Sequence, residues 1–176
     1  RYLEDILGDS RISFVWFGDS NLASIFPEKG FYAPYPLCTS GVDYPIGVKK
    51  LDIATLFCPT GIKKNILNQL IAIRMVQHDP IGSKLVLHTN LEGYDFALKD
   101  TNYVRHGWLN EILYKRLISS AKVNLATSWC ETFNYQVAEA ALLGTPSVTS
   151  GTVPVPSIEV NNPNSAKDIS EGIMEV

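Results

Sequence analysis

The sequence lacks a long apolar run and an ordered set of cysteines. Its longest apolar stretches are broken by Lys, Asn, Gln or Arg, so none reaches the roughly 20 residues that a bilayer-spanning helix needs. The three cysteines show neither CxxC nor Cys/His ligand spacing. This pattern argues against a disulfide framework or a zinc site and favours a reduced, cytoplasmic setting. We expect a cytoplasmic protein without a transmembrane segment. Peripheral contact with a membrane is left open.

Positive charge is also scarce. The chain has 15 Lys and Arg against 18 Asp and Glu, a formal net charge of −3 at pH 7. No global positive field favours nucleic acid, so an anionic ligand must be bound locally, by backbone donors or a few side chains. The 176 residues suit one domain, or one domain with a piece of another. Because the chain opens on Arg1 and closes at Val176 in what reads as an unfinished helix, we expect a fragment of a longer protein.

Short apolar segments alternate with longer amphipathic segments from Leu51 onward. Strands are predicted at Asp52–Phe57, Lys84–His88, Tyr103–His106, Lys122–Ala126 and Ser147–Thr149. Helices are predicted at Lys63–Gln77, Glu92–Leu98, Leu109–Ala121, Tyr135–Leu143 and, capped by Ser165, over the tail. Such alternation predicts βαβ units, and therefore an α/β domain with a parallel sheet and helices on both faces. Ahead of it lie one further strand candidate, Ile12–Phe17, and a glycine- and proline-containing linker.

One segment in the second half of the chain carries most of the functional signal. A strand ends near Thr127, a loop carries Glu131, and a helix begins near Asn134 and runs through Glu139 to Gly144. The first amides of a helix have no intrahelical partner and lie at its positive end, where a diphosphate binds well. The two carboxylates can accept hydrogen bonds from sugar and ribose hydroxyls. Two glutamates at this spacing also occur by chance, and only the strand–loop–helix context makes them informative.

In that context the segment resembles the EX7E motif of retaining, family-4-like glycosyltransferases, S-x-x-E-x-F-x-x-x-x-x-E-A-x-x-x-G-x-P-V. The matching residues are Ser128, Glu131, Phe133, Glu139, Ala140, Gly144 and Pro146. The similarity runs from about Leu51 to the end of the chain. It implies that residues 51–176 are the Rossmann-like, nucleotide-sugar-binding C-terminal half of a GT-B fold. Residues 1–40 would be the tail of the N-terminal acceptor-side domain or an added strand and helix, and 41–50 the linker.

The resemblance also implies a donor site. Its residues would be Glu131 as the catalytic residue, and Lys64, Trp108, Leu109, Phe133, Asn134, Tyr135 and Glu139 as donor-binding residues. Glu131 would contact the donor sugar, Glu139 the ribose and Lys64 a phosphate. The amides from Phe133 to Tyr135 would contact the diphosphate, and the turn at Trp108 and Leu109 the base. Lys64 fits a solvated residue in a helix's first turn equally well, and Trp108 also fits core or rim packing.

The implied enzyme is a retaining hexosyltransferase-type glycosyltransferase that works without a metal or other cofactor. Its partners would be a nucleotide-diphosphate sugar and the missing N-terminal acceptor domain, so the isolated chain should be inactive. Pro59 stands where the family carries an arginine, and Thr89-Asn90-Leu91 replaces a glycine-rich turn. These departures leave open a non-catalytic nucleotide-sugar-binding or scaffold module, and a sugar-nucleotide epimerase is a third reading. The three histidines, far apart in sequence, show no metal-ligand spacing and are assigned no role.

Overall fold

The structure is a computed structural model that describes residues 15–17, 24, 30–32, 50–59, 61–129, 134–151 and 157–176. The chain divides into two compact units, Arg1–Cys38 and Thr39–Val176. In the first unit, strand β1 (Val15–Phe17) pairs in parallel with strand β2 (Gly30–Tyr32). The sequence predicted β1 but not β2. The remainder of the predicted 1–40 segment and nearly all of the 41–50 linker lie outside the described residues.

The second unit is built on a six-stranded parallel sheet. Its strands are β3 (Leu51–Leu56), β4 (Val86–Thr89), β5 (Tyr103–Arg105), β6 (Ala121–Ala126), β7 (Ser147–Thr149) and β8 (Ile158–Glu159). In space the order is β5-β4-β3-β6-β7-β8, so the sheet grows one way from β3 to β5 and the other way from β6 to β8. The boundary between β3 and β6 is therefore a topological switch point, where open α/β sheets bind ligands beyond the carboxyl ends of their strands.

In the described residues, helices follow β3, β4, β5, β6 and β8. They are α1 (Ile66–His78), α2 (Asp95–Leu98), α3 (Glu111–Ser120), α4 (Tyr135–Leu142) and α5 (Ala166–Met174). A parallel sheet with surrounding helices confirms the predicted Rossmann-like α/β class. The helix predicted from Lys63 is wrong at its start, because a 3-10 turn over Ile62–Lys64 comes first. Asn65 then takes up the left-handed conformation (φ 50°), which separates this turn from α1.

Side chains along β6 alternate between the two faces of the sheet, as the pleat of a strand requires. Val123 and Leu125 belong to the main apolar core, which also contains buried residues of α1 and α5 such as Leu70 and Ile169. The next residue, Ala126, packs instead with Val137 of α4. The two layers of helix therefore cover opposite faces of β6, and α4 begins at the carboxyl end of this strand.

Helix α4 ends where the sequence predicts, just before Gly144. Gly144 has φ 70°, a conformation that glycine adopts without the steric penalty of other residues. Its N–H donates to the Ala141 carbonyl and the Thr145 N–H donates to the Ala140 carbonyl. This pair of hydrogen bonds is a Schellman motif, which satisfies carbonyls that the last helical turn leaves without partners. The predicted termination at Gly144 is confirmed.

Candidate functional site

A cavity of about 250 Å³ lies at the switch point between β3 and β6. Its walls come from the carboxyl ends of these two strands, the 3-10 turn and the start of α4. The lining residues are Leu56, Phe57, Cys58, Pro59, Lys64, Gln69, Leu125, Ala126, Ser128, Asn134, Tyr135 and Gln136. The structure thus brings together three residues that the sequence assigned to one donor site, namely Lys64, Asn134 and Tyr135.

A second cavity, of about 910 Å³, adjoins the first and shares Phe57, Cys58 and Pro59 with it. It lies at the carboxyl ends of β4 and β5 and at the start of α3. Its other lining residues are Asn90, Glu92, His106, Gly107, Trp108, Leu109, Glu111 and Tyr114. The two cavities form one crevice along the carboxyl edge of the sheet, as the topology predicts.

The main chain around Lys64 is fixed by hydrogen bonds to the loop that follows β6. The Trp129 N–H donates to the Lys63 carbonyl (2.9 Å). The Gln69 carboxamide donates to the Lys64 carbonyl (2.7 Å) and accepts from the Thr127 N–H (3.2 Å). These bonds hold the turn that carries Lys64 against the carboxyl end of β6. Lys64 is therefore held in the wall of the cavity by hydrogen bonds to its own carbonyl and to that of Lys63.

The start of α4 faces the same cavity. The Asn134 side chain accepts a hydrogen bond from the Val137 N–H (3.3 Å) and so caps the helix. Tyr135 and Gln136, the first two helical residues, lie in the cavity wall. Backbone amides at this position carry the positive end of the helix dipole. The cavity therefore combines a positive helix end with the Lys64 ammonium, an environment that suits an anionic group.

Glu139 lies about one turn further into α4, where it is half-buried and lines neither cavity. Its carboxylate lies close to the hydroxyl of Tyr114, which lines the larger cavity. Burial raises the pKa of the Glu139 carboxyl, and the nearby Glu111 carboxylate raises it further. The Lys115 ammonium and the Tyr114 hydroxyl lower it. Burial also raises the pKa of the Tyr114 hydroxyl.

The residues predicted to hold the base lie at the larger cavity. Both Trp108 and Leu109 line it. The Trp108 side chain is almost completely solvent-exposed, at 98%, so the alternative of core packing is wrong for this residue. The predicted catalytic Glu131 and the donor-binding Phe133 lie outside the described residues.

Two histidines without metal-ligand spacing in the sequence lie side by side at the crevice. His88 Nδ1 is 2.9 Å from His106 Nε2, and the two ring centroids are 5.0 Å apart. His106 also contacts the Phe57 ring, which meets the Tyr114 ring edge-on. His88 lies on β4 opposite Val104 of β5, and His106 follows β5 directly. Strand register alone could have found this pair, once β4 and β5 were known to be neighbours.

Asn90 occupies the place of the glycine-rich turn that the resemblance leads one to expect. Its side-chain oxygen accepts a hydrogen bond from the Cys58 N–H (3.2 Å). This bond joins the chain after β3 to the chain after β4, in the wall of the larger cavity. The loop is thus held by a side-chain hydrogen bond where the family pattern has glycine.

Metal-ligating side chains do not cluster in the described residues, where no group of three His, Cys, Asp or Glu residues is placed to hold an ion. None of the helices in the described ranges has the length and apolar character needed to cross a bilayer.

The same fold occurs in solved GT-B glycosyltransferases. The S. aureus protein TarM, solved with UDP, fondaparinux and alpha-GlcNAc-glycerol, matches 98% of this chain with a TM-score of 0.73 at 14% identity. UDP-forming alpha,alpha-trehalose-phosphate synthases from Burkholderia xenovorans and Burkholderia vietnamiensis match 72% and 73% of the chain. Their TM-scores are 0.57 and 0.55, at 12% and 11% identity. The chain spans only 36% to 39% of the length of these three structures.

At these identities the similarity establishes the fold. The second unit of this chain has the Rossmann-like α/β fold that GT-B glycosyltransferases contain. No protein-family model and no curated protein sequence matches the chain.

Proposed function

We propose that this chain is the donor-binding domain of a glycosyltransferase that takes a sugar from a nucleotide-diphosphate sugar. The observation that carries the proposal is the smaller cavity, where the start of α4 and Lys64 meet at the switch point of the sheet. The diphosphate binds there, and the nucleoside extends into the adjoining cavity at Trp108 and Leu109. The complex of TarM with UDP supports a nucleotide in a protein of this fold.

The chemistry follows from the charge at this cavity. Transfer breaks the bond between the sugar's anomeric carbon and the diphosphate oxygen, and negative charge grows on the leaving diphosphate. The amides of α4 and the Lys64 ammonium stabilise that charge in a fixed geometry, which lowers the barrier without a metal. Glu131 contacts the donor sugar in this proposal, on the strength of the motif alone. Retention of configuration likewise rests on the resemblance.

Glu139 and Tyr114 are proposed to bind the ribose together. The Glu139 carboxylate and the Tyr114 phenol oxygen lie together, with Tyr114 in the wall of the larger cavity, and both oxygens can accept hydrogen bonds from the paired ribose hydroxyls. The acceptor binds to a separate N-terminal domain in this proposal. The chain alone then binds donor nucleotide without transferring the sugar.

Calorimetric titration with UDP and GDP tests the proposal, with Lys64→Met and the neighbouring Lys63→Met as a matched pair. Lys63 is exposed and lines neither cavity. Loss of a charge-assisted hydrogen bond to phosphate should weaken the nucleotide affinity of the Lys64 variant by about tenfold to a hundredfold. The Lys63 variant should bind like the wild type. A wild-type chain that binds neither nucleotide overturns the proposal.

A second candidate function is nucleotide-sugar binding without transfer. Pro59 favours it, because this uncharged residue lines both cavities where the family pattern carries an arginine. The two candidates differ in the fate of the donor. Release of UDP or GDP from the nucleotide sugar by the complete protein supports transfer, whereas tight binding with no release over hours supports the non-catalytic module.

A further inference from the structure

Asn124 forms a polar junction in the centre of the sheet. The residue lies in β6 and is completely buried. Its Oδ1 accepts a hydrogen bond from Thr55 Oγ1 (3.1 Å) and another from Gln136 Nε2, while its Nδ2 donates to Ser147 Oγ (2.9 Å). One carboxamide thereby joins β3, β6, β7 and α4.

Only one of these hydrogen bonds leaves the sheet. It ends on Gln136, the second residue of α4, whose side chain is half-buried and lines the smaller cavity. A buried amide costs free energy unless it is hydrogen-bonded, and an apolar side chain at position 124 would avoid that cost. The junction therefore points to a role for the bond that holds the first turn of α4 to the sheet.

From this geometry we infer that Gln136 is a positioning residue for the diphosphate, anchored by Asn124. The inference rests on the proposed function and assigns a role to a residue outside the EX7E pattern. Backbone amides bind phosphate well only near 2.9 Å and close to linear, so the helix start must be held to within about 0.5 Å. The Asn134 cap fixes the helix end to itself, whereas the Gln136 bond fixes it to the strand beside the cavity.

Loss of the Gln136–Asn124 hydrogen bond should change ligand affinities in a way that general destabilisation of the protein would not. Loosening the first turn of α4 weakens contacts to the diphosphate and leaves the nucleoside contacts at the larger cavity intact. The affinity for UDP should therefore fall while the affinity for uridine stays constant, and GDP should differ from guanosine in the same way. A purely structural role for Gln136 would change both members of each pair alike.

The test compares Gln136→Met with Thr55→Val. Gln136→Met keeps the length of the side chain and removes the bond that anchors α4. Thr55→Val removes the other donor to the same Asn124 oxygen and leaves the anchor in place. Calorimetry with UDP, uridine, GDP and guanosine should show about a tenfold loss of diphosphate affinity for the first variant. Nucleoside affinities should stay unchanged for both variants, and the diphosphate affinity unchanged for Thr55→Val.

The outcomes separate the inference from the proposed function. If the wild type binds UDP or GDP and Gln136→Met binds it equally well, or loses nucleoside and diphosphate affinity together, the positioning role is overturned and the proposed function stands. If the wild type binds no diphosphate, both are overturned. Gln136→Ala, which also removes the hydrogen bond to Asn124, is the second variant and should show the same loss of diphosphate affinity. Because Asn124 keeps its bonds to Thr55 and Ser147 in either variant, we expect the fold to survive, and thermal unfolding checks that it does.

Discussion

His88 and His106 share a hydrogen bond between imidazole nitrogens 2.9 Å apart, at the carboxyl ends of two adjacent strands. Such a bond needs one N–H donor and one unprotonated nitrogen, so it is lost when both rings carry a full set of protons. Burial lowers the pKa of the His88 imidazole, and the positive charge that His106 can carry lowers it further. His88 therefore resists protonation in the folded protein.

This resistance predicts a loss of stability in mild acid. Because the folded-state pKa of His88 lies below its unfolded value, its contribution to stability is complete above about pH 6.5. The contribution falls as the pH drops through the folded-state pKa. Urea unfolding between pH 7 and pH 5 should show a steeper fall in the free energy of unfolding for the wild type than for His88→Gln.

The exposed His78, at the end of α1, supplies the control. His78→Gln removes an imidazole outside the pair and so controls for the loss of a histidine as such. Equal slopes for His88→Gln and the wild type would show that the pair does not couple protonation to folding.

Glu139→Gln should stabilise the folded protein at neutral pH and weaken nucleotide binding. The folded-state pKa of this carboxyl is raised, chiefly by burial, so its stabilising contribution exists at low pH and is lost as the pH rises through that pKa. A neutral glutamine avoids the cost of the buried charge, yet it is a weaker acceptor for ribose hydroxyls than a carboxylate.

Thermal unfolding at pH 7.5 and pH 4, together with UDP and GDP titration, measures both effects of Glu139→Gln. The gain in melting temperature should shrink at the lower pH, where glutamate is also protonated. A variant that is less stable at pH 7.5, or that binds nucleotide as tightly as the wild type, contradicts the prediction.

Trp108→Ala should weaken nucleotide binding without changing stability. The side chain is 98% exposed, and surface substitutions of this kind usually change stability by less than about 0.5 kcal/mol. Stacking of a base on an aromatic ring contributes about 1–3 kcal/mol, so the affinity should fall about fivefold to a hundredfold. Phe96→Ala is the control, because Phe96 is exposed and lines neither cavity. Equal affinities for the two variants would remove Trp108 from the base site.

Ser165→Ala should destabilise the protein by about 1 kcal/mol, the usual cost of losing an N-cap. The Ser165 hydroxyl accepts from the Asp168 N–H (3.2 Å) and donates to the Asp168 carboxylate (2.6 Å), which confirms the predicted cap. Urea unfolding of Ser165→Ala and Ser83→Ala provides the comparison, since Ser83 is exposed and bonds to the Pro80 carbonyl. A Ser165 variant as stable as the Ser83 variant would mean that the cap contributes nothing measurable.

The sequence predicted those helices and strands whose boundaries are set by the residues immediately beside them. Strand β7 has the predicted bounds because Gly144 and Pro146 end the preceding helix immediately before it. Strand β8 was missed, because two residues carry no periodic pattern and Ile158 becomes part of a strand only by pairing with β7. The start of α1 was wrong because Asn65 interrupts an otherwise helical pattern with a left-handed residue.

The sequence predicted those parts of the site whose positions depend on the order of strands and loops along the chain. Lys64, Asn134 and Tyr135 share a cavity because each lies in the segment that follows β3 or β6, the two strands at the switch point. The proximity of Tyr114 and Glu139 depends on how α3 and α4 lie relative to each other, and no local pattern contains that information. Their roles towards a donor remain predictions.

The strand order also determines when the crevice can form during synthesis. Strand β3 is translated first among the strands of its sheet, yet one of its two neighbours, β6, begins only at Ala121. A nascent chain that ends before this point presents an open strand edge with unpaired N–H and C=O groups, which is a template for aggregation. Contacts between such distant segments also make folding slow. The strand order that creates the binding crevice therefore leaves an edge of β3 open to aggregation until β6 has been synthesised. Covering that edge during translation should raise the yield of folded protein.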